Sequence, residues 1–167
     1  ACIPVRLKVK EFKPDRSQRR VLKKNNDLSC RMVRACYTAR YYELYARYIE
    51  ERHADGDMYP PSREQFTSFL VEGTTDSWFL EILDQEKLIG LAAIDKLDEG
   101  LSAIYTVFDP AYEHRSLGTF AVLWQVEEAL RLDLPYLYLG YWVADCGKMN
   151  YKTRFRPIEA LKDGHWQ

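Results

Sequence analysis

The sequence predicts an α/β domain with a mostly antiparallel central sheet flanked by helices, and three observations carry that expectation. Some stretches alternate apolar and polar side chains at every second residue, as Val5, Leu7 and Val9 do against Arg6, Lys8 and Lys10. Others repeat apolar residues at helical spacing, most clearly Tyr41, Leu44, Tyr45, Tyr48 and Ile49. The order is the third: after two helices come three meandering strands, a glycine-containing loop, a long helix and a further strand, an arrangement that covers one sheet with helices. At 167 residues the whole chain, 1–167, reads as one domain.

The elements follow from local signals. Pro4 to Phe12 alternates as a strand with a basic outer face, and Pro14-Asp15-Arg16-Ser17 breaks it. Ser17 is placed to cap a short helix, Gln18 to Lys24, and Asn25-Asn26-Asp27 makes a turn into a strand from Leu28 to Ala35. A helix runs from an N-cap at Thr38 to Arg52, followed by a turn-rich loop ending in Pro60-Pro61. Ser62 opens a second helix with Phe66, Phe69 and Leu70 expected on one face. Strands span Trp78 to Leu83, Lys87 to Leu97 and Leu101 to Phe108, with turns at 84–86 and 98–100. A loop over 109–119 leads to the helix Phe120 to Leu132, then to a strand from Leu134 to Leu139. The remainder reads as irregular, with a short helix near Lys148.

Composition excludes several classes. No apolar run approaches the roughly 20 residues of a membrane span. The start, Ala1-Cys2-Ile3-Pro4, turns basic at once and does not read as a secretory leader. Cys2, Cys30, Cys36 and Cys146 are too scattered for a disulfide framework, so reduced thiols and a cytoplasmic location are expected. The net charge of -1 conceals an asymmetry: residues 1–34 carry 11 basic against three acidic side chains, residues 35–144 eight against 19, and residues 145–167 five against three. Basic ends on an acidic body suit the docking of a polyanion at one face, although a solvated amphipathic segment has the same composition.

Three segments can carry chemistry. Arg115-Ser116-Leu117-Gly118-Thr119 sits where helix N–H groups point outward, and Gly118 lets backbone approach a ligand closely. Arg115 adds a charge suited to bidentate phosphate contact. An ordinary capped helix start contains the same residue types. The Ser17-Gln18-Arg19-Arg20 helix start and Lys148-Met149-Asn150-Tyr151-Lys152-Thr153-Arg154-Phe155-Arg156 offer cations interleaved with aromatics, fit for a nucleic-acid backbone and its bases. Arg52-His53-Ala54-Asp55-Gly56-Asp57-Met58 places a histidine and carboxylates at a helix end. No Ser-His-Asp or Cys-His pairing and no metal-ligand cluster has readable spacing.

In this order the segments resemble a known family, the bacterial aspartate/glutamate leucyltransferases and the related arginyl-tRNA–protein transferases. Matching runs are Phe12-Lys13-Pro14-Asp15-Arg16-Ser17-Gln18-Arg19-Arg20, Arg52-His53-Ala54-Asp55-Gly56-Asp57-Met58 and Leu101-Ser102-Ala103-Ile104-Tyr105-Thr106-Val107-Phe108-Asp109-Pro110. Arg115-Ser116-Leu117-Gly118-Thr119, Tyr138-Leu139-Gly140-Tyr141-Trp142 and Lys148-Met149-Asn150-Tyr151-Lys152 complete the set. The resemblance implies a GNAT-like acyltransferase domain that moves leucine, with arginine as the alternative, from a charged tRNA to the α-amine of an N-terminal Asp or Glu, creating a degradation signal. It also implies an N-terminal segment with a CxxC-containing cluster, associated with an iron–sulfur or other metal site, and Ala1-Cys2-Ile3-Pro4-Val5 resembles the run that follows it, Cys2 being the last cysteine. No cofactor is expected within these residues.

The roles that follow are implied by that resemblance. Asp55 and Asp109 are candidate bases for the attacking amine. Arg52, His53 and Arg115 are candidates for the acidic acceptor; Ser116, Leu117, Gly118, Thr119, Tyr138 and Tyr141 complete the substrate site. Arg19, Arg20, Lys148, Tyr151 and Lys152 are candidates for holding tRNA. Two other readings account for part of the pattern: an acetyl-CoA-dependent GNAT N-acetyltransferase, whose phosphate loop has a second small residue that this loop lacks, and a non-catalytic RNA-binding module, which explains the basic ends but not the acidic middle.

Overall fold

A computed structural model describes residues 3–52, 56, 59–72, 76–142 and 154–167, with residues 141 and 142 as backbone only. The strands are β1 (Ile3–Lys8), β2 (Ser29–Arg34), β3 (Ser77–Asp84), β4 (Lys87–Lys96), β5 (Gly100–Phe108), β6 (Tyr136–Trp142), β7 (Ile158–Lys162) and β8 (His165–Trp166). Among the described residues they form one eight-stranded sheet in the order β2-β3-β4-β5-β6-β1-β7-β8. All neighbours are antiparallel except β5 and β6, which are parallel. The expected α/β class with a mostly antiparallel, helix-flanked sheet is therefore what the chain adopts.

Helices α1 (Arg16–Lys24), α2 (Ala39–Arg52), α3 (Arg63–Phe66) and α4 (Leu117–Arg131) flank it. α4 and α1 pack one face with Leu80, Ile82, Ile89, Ile94, Leu101 and Leu137. α2 and α3 pack the other with Phe79, Leu91, Ala93 and Val107. Each fully buried Leu, Ile or Phe contributes about 1.5–3 kcal/mol of transfer free energy, so two separate apolar layers hold the sheet from both sides.

Several local expectations change. α1 begins at Arg16, because Asp15 rather than Ser17 is its N-cap: Asp15 Oδ1 accepts from Gln18 N at 2.8 Å while Gln18 Oε1 accepts from Asp15 N at 2.9 Å. The Thr38 cap of α2 stands, with Tyr41 N donating to Thr38 Oγ1 at 3.1 Å. The Ser62 cap stands too, but α3 lasts four residues and widens into a π-turn over Thr67–Val71. That extra residue per turn breaks the expected shared face: Phe66 and Leu70 are buried, while Phe69 is 45% exposed. α4 starts at Leu117, earlier than expected, and a 3₁₀ turn over Pro110–Arg115 precedes it.

The C-terminal region, expected to be irregular, instead adds β7 and β8, and β1 inserts between β6 and β7. The expected basic outer face of β1 is corrected at Arg6, which is 8% exposed. Its guanidinium lies 3.6 Å from the Tyr136 ring centroid and 4.1 Å from that of Trp166, and its Nε donates to Glu159 Oε1 at 2.9 Å. Cation–π contact with these two half-buried rings offsets part of the cost of burying the charge. The expected short helix near Lys148 lies outside the described residues.

Candidate functional site

The sheet opens between β5 and β6. Their parallel pairing covers only Gly100↔Tyr136, Leu101↔Leu137 and Ser102↔Tyr138, although β5 continues to Phe108 and β6 to Trp142. The strands are held close at the base of the opening, where a Cβ on Gly100 would lie 2.2 Å from Tyr136 O. Just beyond it, the β4–β5 register shifts between Ala93/Tyr105 and Ile94/Ala103, leaving Ile104 as the extra residue of a bulge. The bulge reverses which face the side chains take. Leu101 and Ala103 pack with α4, whereas Tyr105 and Val107 pack with α2. Beyond Ser102, β5 therefore has an edge with no β6 partner and a changed set of side chains beside it.

The segment joining β5 to α4 borders this opening and is clamped from two sides. On the α2 side, Asp109 is 3% exposed; its Oδ1 accepts from Ala111 N at 3.0 Å and its Oδ2 from Arg47 Nη1 at 3.0 Å, with Lys87 Nζ at 3.6 Å. On the α1 side, Lys24 Nζ donates to His114 O at 2.9 Å and Asn25 Nδ2 to Arg115 O at 2.8 Å. Arg115 makes a bidentate pair with Asp27 at 2.7 and 3.1 Å and donates to Lys24 O at 2.8 Å. That guanidinium holds the Asp27 carboxyl below its ordinary range.

These clamps present the start of α4. Ser116 adopts φ 55°, ψ 50° and makes no side-chain cap to the helix. The first-turn N–H groups of Leu117, Gly118 and Thr119 therefore lack a capping side chain at the positive end of a 15-residue helix. Leu117 is buried, but Gly118 and Thr119 are half-buried, and a Cβ on Gly118 would meet nothing within 4 Å. Gly118 is thus not required by packing; it keeps space open beside helix N–H groups that the Ser116 side chain does not cap.

On the α2 face, a continuous run of rings lines the unpaired half of β5. Phe69 meets Tyr105 edge-on at 5.7 Å, Tyr105 meets Tyr48 at 6.2 Å, and Tyr48 meets Phe108 at 5.1 Å. The Arg52 guanidinium ends the run, 5.1 Å from the Phe108 centroid, with Nη1 donating to Glu113 Oε1 at 2.7 Å. Burial pushes the Tyr105 hydroxyl well above the ordinary phenol range and raises Tyr48 as well, against the lowering effect of Arg52.

The predicted site residues separate into groups. Arg52, Ser116, Leu117, Gly118 and Thr119 stand around the opening. Asp109 and Arg115 are adjacent, but both are engaged: Asp109 caps the 3₁₀ turn, and Arg115 faces Asp27 instead of an open anion site. Tyr138 contacts Tyr136 and Trp166 and so belongs to the Arg6 cluster. Arg19 and Arg20 are exposed on α1, with Arg19 Nη1 donating to Pro14 O at 2.8 Å. His53, Asp55, Lys148, Tyr151, Lys152 and Cys2 lie outside the described residues, as does the side chain of Tyr141. The described parts of the basic ends do meet the loop along α1: Gln18 Nε2 donates to Arg154 O at 3.2 Å at one end, and Asn25 reaches Arg115 O at the other. Among the described residues no group of His, Cys, Asp and Glu could hold a metal ion, and no helix is long and apolar enough to cross a membrane.

Sequence reasoning missed Arg47, Lys87 and the Asn25–Asp27 clamp, because their role depends on contacts far apart in sequence. It also missed Phe69 and Tyr105 as a pair. The signal available was the aromatic content of two segments, Phe66 to Leu70 and Tyr105 to Phe108, each of which reads locally as core.

The family described as the C terminus of arginine-tRNA-protein transferase matches residues 40–162. An aspartate/glutamate leucyltransferase from Marinobacter nauticus is 73% identical over 167 residues, all of this chain and 70% of that protein. One from Pseudomonas fluorescens is 54% identical over 166 residues, 99% of this chain and 71% of that protein. In fold, the chain is similar to L-PGS from Bacillus licheniformis, with a TM-score of 0.58 at 8% identity over 87% of this chain and 47% of that one. A functionally unknown conserved protein from Staphylococcus epidermidis gives a TM-score of 0.54 at 13% identity, covering 95% and 59%.

Proposed function

We propose that this chain, which belongs to the arginine-tRNA–protein transferase family, is an aminoacyltransferase that moves leucine from leucyl-tRNA to the α-amine of an N-terminal Asp or Glu on a protein, marking it for degradation in the cytoplasm. The observation that carries this reading is the opened edge of β5, bordered at once by an uncapped helix start and by a cation on an aromatic wall. A donor with phosphates and an acceptor with a carboxylate both find complementary groups there.

An aminoacyl ester is already activated, so alignment of the two reactants is the main requirement. The acceptor amine, having lost its proton, attacks the ester carbonyl; the C–N bond forms, the ester C–O bond breaks, and the ribose oxygen leaves and takes a proton. Developing negative charge needs fixed donors, and the Leu117–Thr119 N–H groups, which the Ser116 side chain does not cap, are proposed to supply them. Asp55 is the proposed base, and His53 and Tyr141 remain proposed substrate contacts. Asp109, with both oxygens occupied, acts by bracing the loop.

Arg52 is proposed to take the acceptor's side-chain carboxylate. Its pair with Glu113 is a surface one, the two side chains being 33% and 70% exposed, and such pairs exchange partners at little cost. For tRNA, α1 presents Arg16, Arg20 and Lys23 on its exposed side opposite buried Gln18 and Val21, a stripe about 10 Å long at 1.5 Å per residue. With Arg19, Lys148, Tyr151 and Lys152 this makes the proposed track for the acceptor stem. The reading is tested by incubating the protein that contains this chain with leucine-labelled or arginine-labelled tRNA and peptides beginning Asp, Glu or Lys. Leucine on the Asp and Glu peptides alone is the expected result; no transfer, or transfer to Lys peptides equally, refutes it.

A further inference from the structure

We propose that the aromatic run Phe69–Tyr105–Tyr48–Phe108 forms the subsite for the leucyl side chain of the donor, with Phe69 as its specificity-determining residue. This rests on the leucyltransferase reading and adds to it which residues select the transferred group. The run lies along the half of β5 that β6 leaves unpaired, so a ligand entering the opening meets it directly. It is also incompletely covered. Phe69 is 45% exposed and Ile104, at the bulge beside Tyr105, is 40% exposed, two of only a few large apolar side chains so placed among the described residues.

The exposure of Phe69 has a structural cause. A regular helix from Ser62 would place Phe69 beside Phe66 and Leu70 in the core; the π-turn over Thr67–Val71 rotates it out and onto the Tyr105 edge. A π-turn sacrifices regular helix hydrogen bonding, and what it yields here is an apolar ring held at the mouth of the opening.

The wall's chemistry matches a neutral, branched aliphatic group. Tyr105 and Tyr48 are phenols, neutral in any case near pH 7, and burial raises both hydroxyls further. Of the neighbouring carboxylates, Asp109 is buried and engaged by Arg47 and Lys87, while the Glu113 side chain is 70% exposed on the surface. Among the described residues the buried carboxylate beside these rings, Asp109, is already paired, so an arginyl guanidinium desolvated against them gains no buried counter-charge there, which is costly. A leucyl group loses nothing and gains apolar contact.

The test is steady-state transfer by the protein that contains these 167 residues, using leucyl-tRNA or arginyl-tRNA as donor and a Glu-initiated peptide as acceptor. Phe69→Ala should raise the KM for leucyl-tRNA on the order of tenfold, the scale of a lost apolar pocket contact, with the peptide KM unchanged. Phe69→Glu, at a position exposed enough to fold, should lower leucine transfer further and raise the arginine-to-leucine ratio at least tenfold. If the unsubstituted chain transfers leucine but both variants keep its leucyl-tRNA KM and its donor ratio, the subsite assignment is overturned alone. If the unsubstituted chain transfers no leucine, the functional reading fails, and this assignment with it.

Discussion

Gly118→Ala separates a glycine kept for a ligand from one kept for folding. A Cβ at this position meets nothing within 4 Å, so the substitution carries no steric cost in the free protein. Within α4 it should stabilise by up to about 1 kcal/mol, because alanine loses less backbone entropy on folding than glycine. For a chain of 167 residues that is a rise of roughly 2–4 °C in Tm. Activity should move the opposite way. If a phosphate or oxyanion sits against the Gly118 and Thr119 N–H groups, a methyl group there pushes it off, and kcat/KM for leucyl-tRNA should fall at least tenfold, about 1.4 kcal/mol. Gly118→Val should fall further. Thermal melts and initial-rate transfer on the same preparations give both numbers. A stabilised Gly118→Ala with unchanged kcat/KM would refute the anion-cradle argument, and a destabilised one would refute the open-space argument.

Three further outcomes follow from particular contacts. Glu113→Gln frees Arg52 and should lower the KM for Glu-initiated peptides, while Arg52→Ala should raise it by about 1.5–3 kcal/mol of lost charge-assisted bonding, both read from peptide titrations. Glu81, 2% exposed on β3, is pushed up by burial but held below its ordinary 4.5 by Tyr41 and Arg31 together. Its ionised form therefore adds stability above about pH 4.5 that is lost as pH falls through the depressed value; Tyr41→Phe should cost about 1–3 kcal/mol near neutrality and shrink that acid dependence, measured by urea melts at pH 3 to 7. Replacing Arg19 and Arg20 by Gln should weaken tRNA binding and flatten its salt dependence by about 0.7–0.9 per lost phosphate contact, with peptide affinity kept.

What was legible in the sequence is what local patterns encode. The α2 stripe and its Thr38 cap are written in consecutive residues, and the β3–β4–β5 meander has alternation and turns at each boundary. The insertion of β1 between β6 and β7 is not local, so Arg6 read as an outward cation although Tyr136, Trp166 and Glu159 enclose it. The start of α4 hid for a related reason: Ser116 in a left-handed conformation and Gly118 in the first turn both resemble loop. At the site, motif spacing singled out Gly118 and Arg52 as substrate contacts; Gly118 lies in the uncapped first turn of α4 and Arg52 against Phe108. It could not tell that Arg115 spends its bidentate geometry on Asp27, a partner 88 positions away. Phe69 escaped because helical periodicity assigns it to the core, and only the π-turn moves it out.

On the proposed function, an acidic N-terminus is recognised by charge at Arg52 and receives leucine. The most direct measurement compares initial rates of leucine transfer to two peptides that differ only in their first residue, Glu or Gln, which are nearly equal in shape and differ in charge. Glu should be preferred by roughly 1.5–3 kcal/mol, on the order of 10- to 150-fold in kcat/KM, a preference that collapses in Arg52→Ala. Equal rates on the two peptides would contradict it.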